Sequence, residues 1–315
     1  MVDFRYHLVS IIAVFLALAV GIVVGTAALN GPVLDDLREN ISRLSDDKRA
    51  LETDVERLSG DVTASDEFAL AVAGELVRGS LDGELVLLVV TPETPEEVVE
   101  QLTPLLEEAG ATVTGQLRVL PALSDPEGRL LVEDVVAAVV PSGVSLPDTD
   151  PVDRAAVELA AAVARQPARD GIELSEAQAI VSAFEEADFV QYVADGPLKQ
   201  ATAVVVLGAA PDEQEPDELQ IAQHQALLQL ARALDDRCGG VVVAGPAGPV
   251  QGGGLVSSLR EDSGLSGRVS SVDNADRGVG TVAVVQALVE QLRGTSGQYG
   301  SGAGATAPVP SVATS

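Results

Sequence analysis

Few side chains in this 315-residue chain are suited to chemistry. The histidines are His7 and His224, the only cysteine is Cys238 and the only methionine is Met1. Soft metal ions prefer Cys and Met sulfur and His nitrogen. No two of these four are neighbours in sequence, so a copper or zinc site within one chain is poorly supported and no metal ligand is assigned. Cys238 precedes Gly239-Gly240 and an apolar run, which predicts a small buried side chain rather than a reactive thiol. Carboxylate pairs occur at Glu107-Glu108, Glu185-Glu186, Asp212-Glu213 and Asp235-Asp236. All fall at predicted helix ends or in loops, where solvated faces are expected. General acid–base work would need one carboxyl of a pair desolvated. His224 is alone on a predicted helix, and no nucleophile-elbow motif supplies a serine. No catalytic residue is predicted, and the chain reads as a non-enzyme.

The remaining candidate is a glycine-rich loop, GPAGPVQGGG, at Gly245–Gly254. A strand, a glycine loop and a helix are the setting in which phosphates bind at a helix N-terminus. This loop lacks GxGxxG spacing and the GK[ST] ending of a P-loop. Pro246 and Pro249 also remove two N–H donors that a phosphate cradle would use. A structural loop is expected, with no cofactor. The formal net charge of −29 would repel nucleic acid and anionic lipid surfaces, so no nucleic-acid partner is expected. Aromatic residues are 3% of the chain, which leaves few platforms for stacking sugars or bases. Hydrophobic residues are 46%, enough to build a core despite the charge.

The elements around these residues begin with Leu8–Leu29, an uncharged run. As a helix it would reach about 33 Å, enough to cross a bilayer core of about 30 Å. Its partner there is membrane lipid. Gly21 and Gly25 have GxxxG spacing, which suits either close helix pairing or an ordinary membrane helix. The run is longer than a secretory signal's apolar core, which favours a retained anchor, although Thr26-Ala27-Ala28 has the small residues of a cleavage site. Basic charge lies ahead of the span at Arg5 and acidic charge after it at Asp35 and Asp36. The positive-inside rule then puts Met1 in the cytoplasm and the bulk of the chain outside the membrane.

Gly31-Pro32 is expected to break this helix. Beyond it, Leu34, Leu37, Ile41, Leu44, Lys48, Leu51, Val55, Leu58 and Val62 alternate between a and d positions of a heptad. The pattern predicts a parallel homo-oligomer through Leu34–Val62, with Lys48 at a selecting against larger assemblies. The flanks argue the other way, since Asp47 at g would meet Glu52 at e of a partner. Packing of the helix on its own globular domain is the alternative.

The fold class expected is α/β: an N-terminal transmembrane helix (1–30), a coiled coil and helical link (31–83), a Rossmann-like parallel-sheet domain (84–293) and a disordered tail (294–315). Glu84–Val90, ELVLLVV, reads as a strand buried on both faces. Thr94 as N-cap, Pro95 at N1 and Glu97 as capping-box acid open the next helix. Ala111–Val119 is the second strand. The stretch from Asp125 to about Val193 reads as mostly helical. Strands at Ala203–Leu207, Val241–Ala244 and Arg268–Val272 alternate with helices at Pro216–Asp236 and Thr281–Arg293. From Gly294 the composition predicts a flexible extension.

Two stretches carry a family resemblance. DFRYHLVSIIAVFLALAVGIVVG at Asp3–Gly25 resembles the N-terminus of the actinobacterial copper transporter family of the MctB type. SSVDNADRGVGTVAVVQALVEQL at Ser270–Leu292, followed by Tyr299-Gly300, resembles its C-terminal signature. The resemblance implies an envelope location, a role in copper homeostasis and a copper ion as cargo. It carries over no copper ligands. It draws attention to Asp273, Asn274 and Asp276, which form either a polar site at a helix N-terminus or the N-cap of that helix. An envelope scaffold without transport is the competing reading. Deleting Met1–Leu29 is expected to move the chain from the membrane fraction to the soluble fraction. A truncated chain that still pellets with membranes would contradict the anchor.

Overall fold

A computed structural model describes residues 4–141, 143–165, 172–211, 216–248 and 254–311. The chain divides into two units, Met1–Thr63 and Ala64–Ser315. The first is formed by helix α1, which runs Phe4–Val77 and ends inside the second unit. Within it, Tyr6–Thr26 is long and apolar enough to cross a membrane. The break expected at Gly31-Pro32 is absent. A proline removes one internal bond at a cost of about 3 kcal/mol, whereas two new helix ends would each leave four backbone groups without intrahelical partners. The heptad residues from Leu37 to Val62 are exposed in the single chain. Lys48 pairs with Glu52 within the helix at 3.3 Å.

The second unit is an α/β domain around one seven-stranded sheet. Its elements are β1 (Leu85–Val90), α2 (Glu96–Glu108), β2 (Thr112–Val119), α3 (Arg129–Ala138), α4 (Pro151–Val163), α5 (Leu174–Glu186) and β3 (Val190–Val193). They continue with β4 (Ala203–Leu207), α6 (Glu218–Asp235), β5 (Gly240–Ala244), α7 (Leu255–Glu261), β6 (Ser270–Val272), α8 (Gly278–Leu292) and β7 (Gln298–Tyr299). The strand order is β3-β2-β1-β4-β5-β6-β7. All pairings are parallel except β2–β3, so the sheet is mixed rather than wholly parallel. The first six strands follow the doubly wound order, in which the direction of winding reverses between β1 and β4.

Both sheet faces are covered, which explains the continuous apolar strands. Val86, Leu88 and Val90 face one core with Ala73 and Val77 of α1, Leu102 and Leu106 of α2, and Val284 and Leu288 of α8. Leu87 and Val89 face the other core, with Val132, Leu159, Ile180 and Leu230 from α3 to α6. At its end α1 presents the 66–70–73–77 stripe to the domain. Ala73 and Val77 are buried, Asp66 pairs with Arg277 at 3.3 Å, and a Cβ on Gly278 would lie 2.5 Å from the Asp66 carbonyl oxygen. Glycine at 278 therefore lets α8 approach α1 closely.

Three further expectations need correction. The Thr94 hydroxyl does not cap α2; it accepts from the Thr91 N–H and donates to the Leu207 carbonyl, each at 3.0 Å, and the helix begins after Pro95. The middle segment is mostly helical as expected, through α3, α4 and α5, but it ends in β3, an antiparallel edge strand too short for periodicity to reveal. The tail is ordered through 311: β7 pairs with β6, Tyr299 is buried, and Gly300 N–H donates to the Ala307 carbonyl. A low-charge, glycine-rich composition does not prevent pairing when a sheet edge supplies the partner.

Glu158 of α4 is fully buried, and neither carboxylate oxygen has a hydrogen-bond partner. Burial pushes its pKa up to about 8, against the nearby positive charge of Arg154. The folded chain therefore keeps the proton that the unfolded chain loses above about 4.5. Glu158 thus costs stability as pH rises from about 4.5 to about 8. Thermal melts of the full chain in detergent should show Glu158→Gln gaining over the parent from pH 5 to pH 8. A pH-independent difference would contradict this.

Candidate functional site

Two places at the C-terminal ends of the strands hold the candidate residues. The first is the crevice where the winding reverses, the usual ligand position in open α/β sheets. It is a cavity of about 260 Å³ lined by Thr91, Glu93, Gly208, Gln220, Gln223 and His224, among others. Burial lowers the pKa of His224, so its imidazole favours the neutral form. The first strand–helix turn, TPETPEE, contains no glycine. It is closed by the Thr91–Thr94 contacts, and Glu96 and Glu97 occupy the first turn of α2. These acids already complement the helix dipole and would repel a phosphate. The geometry fits a small neutral or cationic guest better than a dinucleotide.

The second place joins the glycine loop, α7, the VDNAD turn and the C-terminal segment. Asp273 does not cap α8. Its carboxylate accepts from Arg260 Nη1 at 2.6 Å and from the Ser301 and Gly302 N–H groups at 2.8 Å. Arg260 also donates through Nε to Ser271 Oγ at 2.9 Å and through its Nη atoms to the Ala303 and Tyr299 carbonyls at 2.9 and 2.7 Å. The side chains of this ion pair are only 7% and 13% exposed. Ser271 in turn donates to Gln298 Oε1 at 2.6 Å. Asp276 accepts from the Ala247 N–H at 2.7 Å and so pins the glycine loop. Asn274 is not a cap either; its Oδ1 is buried without a partner, and the residue preceding α8 is Arg277, with no side-chain cap. Gly300, at φ 121°, allows the turn, because a Cβ there would lie 2.1 Å from Asp273 Oδ1. The Tyr299 hydroxyl donates to Glu290, and burial, then this contact, raises its pKa.

These groups form a structural clasp. Arg260 donates four hydrogen bonds and Asp273 accepts three, all within the chain. The small cavity beside them, about 120 Å³, adjoins the glycine loop, of which 249–253 lie outside the described residues. Sequence reading singled out Asp273, Tyr299 and Gly300 but missed Arg260. Nothing local marks that arginine, because its partners lie 11 to 43 residues away.

The remaining candidates are not brought together. Cys238 is buried, its Sγ donates to the Gly240 carbonyl at 3.3 Å, and burial pushes its pKa up to about 12. His224 lies near the start of α6 and Cys238 three residues beyond its end at Asp235, so the helix between them alone rises about 16 Å. His7 belongs to the other unit, and Met1 lies outside the described residues. Among the described residues no group of three His, Cys, Asp or Glu side chains could hold a metal ion. Asp235 and Asp236 share Arg268, each at 2.5 Å; burial raises the Asp235 pKa and Arg268 opposes that rise. Glu107 and Glu108 are exposed, Glu185 accepts from the Tyr192 N–H at 2.9 Å, and Asp212-Glu213 lie outside the described residues.

Replacing Asp273 with Ala is expected to leave Arg260 charged and unpaired in the interior, a loss of about 3–5 kcal/mol. The melting temperature should fall, and amide exchange at 298–307 should rise before that of the central strands. Uniform protection of 298–307 in the variant would contradict the clasp.

Residues 1–310 match the family model described as "Copper transport outer membrane protein, MctB". Proteins named "Copper transporter MctB" from Mycobacterium tuberculosis and Mycobacterium bovis are each 28% identical over 320 residues, covering 97% of this chain and 98% of theirs. One of the same name from Mycobacterium leprae is 28% identical over 325 residues, with the same coverage.

Proposed function

This chain belongs to the MctB family of copper transport outer membrane proteins, and from that premise we propose that it is a membrane-anchored envelope protein acting in copper homeostasis. The whole-chain family match carries this reading, and the apolar helix Tyr6–Thr26 supports the anchor. In this reading the helix crosses the membrane once, with Met1 in the cytoplasm and the α/β domain outside. The described strands form an open sheet covered by helices on both faces, unlike a membrane barrel, whose strands close into a ring with an apolar outer face. Copper is cargo here rather than a resident cofactor, and the chain is not an enzyme. His224 and Cys238 are too far apart to share an ion. The chain alone therefore holds copper weakly, through its acidic surface, and transport depends on an assembly or a partner.

The assembly proposed is a parallel homo-oligomer through Leu34–Val62. Leu44 and Leu51 are 71% and 66% exposed in the single chain, an apolar stripe that a second helix would cover. The same stripe favours a second reading, an envelope scaffold that binds proteins and transports nothing.

Deletion of the gene followed by growth across a copper series, with cell-associated copper measured, separates the two. Increased copper sensitivity and raised cell copper are expected for the homeostasis role. Unchanged copper handling would overturn it in favour of the scaffold.

A further inference from the structure

Where α1 enters the globular unit, it uses one stripe for its own domain and leaves the adjacent one open. The inward stripe is 66–70–73–77, described above. The open stripe is Ser65, Ala69, Val72 and Leu76, which line a groove of about 540 Å³ closed on its other side by Val282 of α8. Phe68 stands at its edge and is 69% exposed. Counting on from Val62 at a, Ser65 is d, Ala69 is a, Val72 is d and Leu76 is a. The groove therefore continues the heptad of Leu34–Val62 without a change of phase. This also bears on whether the helix packs on its own domain. Where it does so, it uses e and b positions, and the a and d positions line the groove.

We propose that this groove is the end of the self-association seam and receives residues 64–76 of a second copy of the chain. The proposal rests on the homo-oligomer reading above and extends it into the globular unit. Three features favour a second copy as occupant. The phase is continuous, so a helix following the seam arrives at the groove in register. N-terminal anchors in one bilayer make two copies parallel. The flanking acids are already neutralised within the chain, with Asp66 on Arg277 at 3.3 Å and Glu75 on Arg78 at 2.7 Å, so two copies meet here without unpaired like charges. Ser65 and Ala69 are small enough for close approach, and Phe68 and Leu76 are covered by the second helix.

Disulfide trapping of the full chain in its own membranes tests this. Single cysteines are placed at Ser65→Cys and Val72→Cys in the groove, Leu44→Cys in the upstream seam and Glu67→Cys on the f position as control. Native Cys238 is buried and its thiol is suppressed, so it stays silent. In-register d positions bring Cα atoms within the span of about 4.4–6.8 Å that a disulfide needs. The expected result is covalent dimer from Ser65→Cys, Val72→Cys and Leu44→Cys, several-fold more than from Glu67→Cys. Dimer from Leu44→Cys but not from the groove positions would overturn this proposal and leave the upstream oligomer standing. Absence of dimer at all three would overturn both. Adducts of the groove cysteines to a different protein would also overturn it, because the groove would then serve another partner.

Discussion

Burial of both faces of the central sheet is the constraint on which the domain depends. In β1, alternate residues serve opposite cores, Val86, Leu88 and Val90 on one side and Leu87 and Val89 on the other. Each buried aliphatic side chain contributes roughly 1.5–3 kcal/mol only while both faces are covered. The face toward α2 and α8 is completed by the last turns of α1, through Ala73 and Val77. A single helix thus carries both an apolar N-terminal span and part of the domain's core. That double duty places the 66–70–73–77 stripe of α1 against the domain.

The polar interior follows a second rule: a buried charge persists when its partners are complete. Arg260 and Asp273 satisfy it by gathering Ser271, Tyr299, Ser301, Gly302 and Ala303 around one ion pair. The result fastens a glycine-rich C-terminal segment to the edge of the sheet. Asp273, Tyr299 and Gly300, separated in the sequence, meet in this one cluster, which gives the signature a structural reason. Glu158 is the exception, a buried carboxyl with no partner that keeps its proton instead.

The chemistry is correspondingly sparse. His224 is half-buried near the start of α6, whereas Cys238 is buried beyond the end of that helix with its thiol turned to a backbone carbonyl. The crevice at the winding reversal is lined by the acidic residues Glu93 and Asp217, which disfavours phosphates where related sheets bind dinucleotides.

Local pattern sufficed wherever a property follows from consecutive residues. The apolar helix of Tyr6–Thr26 and the strands ELVLLVV and Ala203–Leu207 each declare themselves through length and unbroken hydrophobicity. The burial of Cys238 was legible for the same reason. Tertiary structure decided whatever depends on distant partners. It carried α1 past Pro32, spent Thr94 on Leu207 rather than on α2, turned 190–193 into an antiparallel edge and drew 298–299 into the sheet. It also removed Asp273 from its expected capping role, because Arg260, thirteen residues away, offers a buried carboxylate a stronger, charge-assisted partner than a helix N-terminus does. Hydrophobic periodicity is written along the chain, whereas the pairing of buried polar groups is settled only when the fold brings them together.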